Sequence, residues 1–187
     1  TAVFVLLFIR EQRFMLVSLA MLTLGTALTG YFPTLYGLLF TTLLMSTGFH
    51  YFETLKQSLS LQWLSKEEAP EMLGKFISVG ALASLFTYGA IWVSLEQLKL
   101  DFKTVYLMAG GLGFVLILVM AFAFPQFKTK VPQNKKLILR KRYWLYYALT
   151  FMSGARRQIF TVFAGFLMVE KFGYSAADIT LLFLINY

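Results

Sequence analysis

The sequence predicts an all-α polytopic membrane protein, a helix bundle of five complete and two partial transmembrane helices. Three observations carry that expectation. Long runs lack any charge, the apolar–polar alternation of a transmembrane β-barrel is missing, and basic connections alternate with poorly basic ones. The composition agrees, with 58% hydrophobic and 14% charged residues and a mean hydropathy of +0.68 over 187 residues. Such a chain lies outside the range of ordinary soluble domains.

A helix needs about 20 apolar residues to cross a hydrocarbon core. Phe14 to Phe32, Phe76 to Leu95 and Val105 to Phe124 meet that need without one charge. Leu35 to Leu64 and Tyr143 to Val169 are long enough too, but they contain ionisable residues. Residues 1 to 9 and the run from Ile179 are expected to belong to two further spans. Neither is read as a signal peptide.

The Lys and Arg residues of successive connections set the expected orientation. Arg10, Arg13, Lys66, Lys75 and the seven of Pro125 to Arg142 lie in alternate connections, against Lys99, Lys103 and Lys171 in the others. Basic connections stay on the cytoplasmic side. "GYFPT", "EQLKLDFK" and "EKFGYSAAD" are therefore expected outside. The net charge of +8 reports topology on this reading, and no nucleic-acid partner is expected. Trp63, Trp92 and Trp144 fall near span ends, where amphipathic rings favour the interface.

"PQFKTKVPQNKKLILRKR", residues 125–142, divides the chain. Residues 1–124 form one part, this basic cytoplasmic loop the second, and residues 143–187 the third. The loop is expected to be solvated close to anionic headgroups, with lipid reading as its sharper alternative.

Two spans carry polar stripes. With His50 as the origin of a helical wheel, Ser46, Glu53, Gln57 and Ser60 lie within about 80° on one side and Thr54 within about 40° on the other. Lys56 borders the stripe. Such a face avoids lipid, because ionisable groups in hydrocarbon need partners or water. Tyr146, Thr150, Ser153, Arg157 and Thr161 form a second continuous face at steps of three and four, with Arg156 and Gln158 about 100° to either side of Arg157. Arg157 sits roughly 20 Å into its span. Two readings stay open: a buried ion pair that joins helices, or a substrate or proton site. The depth of Glu53 also has two values. Measured from Leu35 it nears the inner boundary at about 27 Å, and in a long tilted helix it lies near the middle.

The order of spans and loop charges resembles the middle of a major facilitator superfamily transporter, from the end of helix two to the start of helix eight. "LSKEEAPEMLGKFISVGALASL" is similar to that family's connection between helices four and five, and the resemblance covers essentially the whole chain. "IREQRF" stands where the family's Gly-x-x-x-Asp-Arg-x-Gly-Arg-Arg signature would lie, and Gly80, Ser84 and Gly89 stand where drug/proton antiporters carry a Gly-Pro element. The resemblance implies that the two striped helices line a central cavity, with binding near the bilayer midplane. It implies a secondary active transporter of a small solute, coupled to protons and working by alternating access. His50 and Glu53 become proton-coupling candidates, with Gln57 and Ser153 on the pathway. Arg157, and Arg156 beside it, become anchors for an anionic group or counter-ions to the carboxylate.

A bacterial inner membrane or a plasma membrane is the expected location, and the partners are solute, protons and the bilayer. No cofactor and no metal are expected. The chain has one His and no Cys, and no span carries two neighbouring carboxylates, so neither a thiolate metal site nor an aspartyl dyad can be assembled. A membrane-embedded enzyme is accordingly the weaker alternative, and a receptor or scaffold on the same fold is the other.

The orientation has a direct test, since single cysteines can be introduced without a background. Cysteines placed in residues 32–34 and 170–178 should react with an impermeant maleimide on intact cells, and cysteines in 125–142 only after permeabilisation. Labelling of the central loop from outside would overturn the topology.

Overall fold

The computed structural model describes residues 12–123 and 140–186, except the side chains of Gln12, Arg13, Leu61, Arg157, Gln158, Phe160, Thr161 and Asn186. The expected partial span at 1–9 and most of the central loop lie outside the described residues. The described chain is helical, with no strand. Its elements are α1 Gln12–Thr29, α2 Leu35–Trp63, α3 Ala69–Trp92, α4 Phe102–Ala123, α5 Trp144–Phe172 and α6 Ala176–Asn186. A π-turn, Val93–Gln97, continues α3, and a 3-10 turn, Lys141–Tyr143, precedes α5.

All five segments expected as complete spans are helical. Among the described residues two helices are long and apolar enough to cross a membrane, Ala69–Gln97 and Phe102–Ala123. The apolar part of α1, Phe14–Thr29, is shorter than the run to Phe32 that the sequence suggested. Its helix stops because Gly30 begins a turn in which the Tyr31 amide donates to the Leu28 carbonyl, and Pro33 follows. The last run is an eleven-residue helix that starts at Ala176, before Ile179.

Helix starts are set by short polar side chains. Thr34 caps α2, its hydroxyl accepting from the Gly37 amide at 3.2 Å. Ser65 and Glu68 form a reciprocal capping box before α3: the Glu68 amide donates to Ser65 Oγ, and the Ser65 amide and hydroxyl donate to Glu68 Oε2. Ser175 and Asp178 repeat it at α6. The Ser65 hydroxyl first, then its amide, holds the Glu68 carboxyl below its ordinary pKa, and Ser175 does the same for Asp178. The Thr104 side chain and amide lower Asp101 before α4 in the same way. Gly173, at φ 69°, ends α5: its amide donates to Val169 and the Tyr174 amide to Met168.

Hydroxyls inside the helices are satisfied by their own backbone. Ser18, Thr23, Thr26 and Thr29 each donate to the carbonyl four residues back, as do Thr47, Ser78, Thr87 and Ser94. Such a bond occupies the donor within the helix itself.

The described residues fall into two units. One joins α1, α2 and α4 with α3 up to Gly80; the other joins Ala81–Leu98 with α5 and α6. In the first unit α1 packs against both α2 and α4. A Cβ on Gly48 would lie 2.5 Å from the Ser18 carbonyl oxygen and 2.6 Å from the Leu22 nitrogen, so α2 touches the backbone of α1. Gly110 meets α1 on another side, its Cβ position 2.9 Å from Ala27 Cα. Ser18 and Thr41 are completely buried, and Met15, Tyr51 and Leu55 nearly so. At one end of the unit Lys103 Nζ sits 4.1 Å from the centre of the Tyr31 ring, a cation–π contact between the α1–α2 turn and α4. In the second unit Tyr88 stacks on Phe183 with ring centres 5.9 Å apart.

Adjacent glycines of α4 supply the test of this packing. Gly110→Ala should destabilise by about 1–3 kcal/mol through overpacking against the Ala27 backbone. Gly111→Ala, which meets nothing within 4 Å, should be neutral or slightly stabilising. Thermal unfolding of the two variants in one detergent checks the contrast, and equal effects would refute the α1–α4 contact.

Candidate functional site

The polar stripe of α2 lies in the first unit, in a register against α1 that packing fixes. The Phe14 and Tyr51 rings meet edge to face with centres 5.5 Å apart, and Gly48 lies against Ser18 and Leu22. Tyr51 is therefore level with the start of the apolar part of α1. The twelve residues from Phe52 to Trp63 carry α2 about 18 Å further along its axis. Glu53 therefore lies at or beyond the Phe14 end of α1, and its depth in a bilayer stays an expectation.

His50 is exposed, its ring edge to face with Phe49 at 5.5 Å, and its carbonyl accepts from the Thr54 hydroxyl at 2.7 Å. Glu53 is bound to its own helix: Lys56 Nζ donates to Glu53 Oε1 at 2.6 Å and stands 5.8 Å from the centre of the Phe52 ring. Three residues of separation bring the two side chains over one another. The Glu53 side chain is 31% exposed and that of Lys56 45%, so water screens the pair. Gln57 is exposed one turn on. His50 and Glu53 share the face expected of them without bonding to each other. The sequence reading left Lys56 at the margin of the stripe, although its spacing from Glu53 already signalled the pair.

The second stripe is on α5, in the other unit. Arg157 and Thr161 have side chains outside the described residues, so a pairing of Arg157 with Glu53 stays an expectation. Ser153 is exposed. Arg156 is brought to a cavity instead. An open cavity of about 480 Å³ is lined, among the described residues, by Phe151, Met152, Ala155, Arg156 and Ile159. These positions recur at four-residue spacing and form a face of α5 turned away from Ser153. The signal was present in the sequence, as an apolar stripe with one arginine, but the search for polar stripes passed over it.

Among the described residues no three His, Asp or Glu side chains gather as a metal site would need. Comparisons with protein-family models, with curated proteins and with solved structures give no match. The chemistry of this site is therefore argued from its own residues.

The Glu53–Lys56 pair is half exposed, and pairs of that kind contribute about 0–1 kcal/mol. Lys56→Gln should accordingly leave the unfolding midpoint nearly unchanged, as a thermal melt would show. A loss of several kcal/mol would mean that Glu53 is desolvated and depends on Lys56 for neutralisation.

Proposed function

We propose that the protein is a secondary active transporter of a small solute, coupled to protons, built as a major-facilitator-type bundle in a bacterial inner or plasma membrane with residues 125–142 in the cytoplasm. The observation that carries this reading is the α2 stripe. An ionisable face of His50, Glu53, Lys56 and Gln57 continues a helix whose other half is packed among apolar residues. Structural ion pairs alone would not require an exposed His one turn from a carboxylate.

On this reading His50 and Glu53 stand at the inner mouth of the pathway, where a proton enters or leaves. Glu53 exchanges between its Lys56 partner and a proton. Neutralising the carboxylate frees the ammonium, which changes the charge that the solute meets. Gln57 extends the polar wall, and Ser153, Arg156 and Arg157 belong to the pathway's other wall on α5.

The test is transport by the full-length protein in proteoliposomes. Glu53→Gln should abolish solute-driven proton flux while solute exchange persists, because the amide keeps the size of the carboxyl and cannot carry a proton. His50→Gln should slow the flux by less than tenfold. Undiminished proton flux in the Glu53 variant would remove that carboxylate from coupling, and an absence of any solute-driven flux in the unaltered protein would sink the transporter reading.

A further inference from the structure

We infer that Arg140, Lys141 and Arg142, with the aromatic rings that follow them, form a surface that selects anionic phospholipid headgroups. The inference stands whether or not the protein moves a solute. It needs only this end of α5 at a lipid surface, whichever way the helix runs beyond it.

Charge is distributed unevenly along the chain. Ten of its seventeen Lys and Arg lie between Asp101 and Glu170, and none of its nine carboxylates does. Lys56 and Lys75, outside that stretch, each bond to a Glu of their own helix. Arg140, Lys141 and Arg142 are exposed, and among the described residues no side chain of the three has an ion-pair or hydrogen-bond partner. Three adjacent cations repel one another, and an anionic surface relieves that repulsion.

The backbone spreads these groups around one axis. Lys141–Tyr143 is a 3-10 turn in which the Tyr143 amide donates to the Arg140 carbonyl at 3.0 Å. Three residues per turn set Lys141 and Arg142 about 120° apart, so they point to different sides. The next turn is apolar all round: Trp144, Leu145, Tyr146 and Tyr147 succeed one another at about 100° and all are exposed, Trp144 and Tyr146 at 66%. That arrangement selects the partner. A nucleic acid or an acidic protein would pair with the cations, yet it would cover one side of the ring-bearing turn and leave the others in water. Free phosphate would leave every ring uncovered. A lipid surface meets all sides at once, its phosphates against the cations and its interfacial layer against the rings, where amphipathic Trp and Tyr are favoured. Lys and Arg clustered beside an apolar segment attract anionic lipid in the same way.

Quenching of Trp144 fluorescence reads the selection directly. The full-length protein and its Trp144→Phe variant are placed in phosphatidylcholine nanodiscs that contain a minor share of brominated lipid, either phosphatidylglycerol or phosphatidylcholine. The difference between the two proteins is the Trp144 signal. Brominated phosphatidylglycerol should quench it at least twofold more strongly than brominated phosphatidylcholine. Joint replacement Arg140→Gln, Lys141→Gln and Arg142→Gln should level the two lipids. Lys66→Gln, Lys75→Gln and Lys171→Gln together, an equal loss of charge at other exposed positions, should keep the excess. Salt at about 1 M, where the Debye length is about 3 Å, should remove most of it from the unaltered protein, which tests the assignment even if the neutral variant fails to fold. Equal quenching by the two lipids, an excess indifferent to salt, one that survives the Arg140–Arg142 replacement, or one that the control replacement also abolishes would overturn the assignment. So would an excess lost on adding oligothymidylate, since a nucleic acid would then be the occupant.

Discussion

Direct backbone contact of α1 with α2 and α4 is the constraint on which the first unit depends. Gly48 against Ser18 and Leu22, and Gly110 against Ala27, leave no room for a side chain between the helices. Where apolar surroundings compete equally for every apolar side chain, such close approach supplies the dispersion contacts that hold helices together. It also forbids sliding. A shift of one residue would turn α2 by about 100° and bring a side chain onto the α1 backbone. The position of His50 and Glu53 along α1 is thus a consequence of Gly48 and one ring contact, Phe14 on Tyr51.

The two polar helices handle their charges differently. On α2 the carboxylate of Glu53 and the ammonium of Lys56 neutralise each other within one turn. That pair can open and reform without moving a helix. Arg156 on α5 has no such partner among the described residues and is set among Phe151, Met152, Ala155 and Ile159.

The helices and their ends were legible in the sequence. Runs free of charge specify α3 and α4 whatever surrounds them, because the only low-energy state of an apolar backbone away from water is one that bonds to itself. Ser65 with Glu68, Ser175 with Asp178, and Gly173 mark starts and a stop by local hydrogen bonding, which depends on a few neighbouring residues alone. Periodicity likewise placed His50, Glu53 and Gln57 on one face. The boundary of α1 was overestimated because hydropathy counts Tyr31 and Phe32 as span, whereas Gly30 and Pro33 had already turned the chain.

By itself, then, the sequence determined which segments are helical, which faces are polar and that Lys56 is within reach of Glu53, since all three depend on spacing along one helix. Only the tertiary structure decided how that pair sits against α1 and that Arg156 lines an open cavity. The first depends on the register between α1 and α2, and register is a property of the contact between two surfaces. The cavity on α5 depends on which of its faces the rest of its unit leaves open. Arg156 and Arg157 are adjacent, and a wheel assigns each a direction. What lies in that direction is settled by packing.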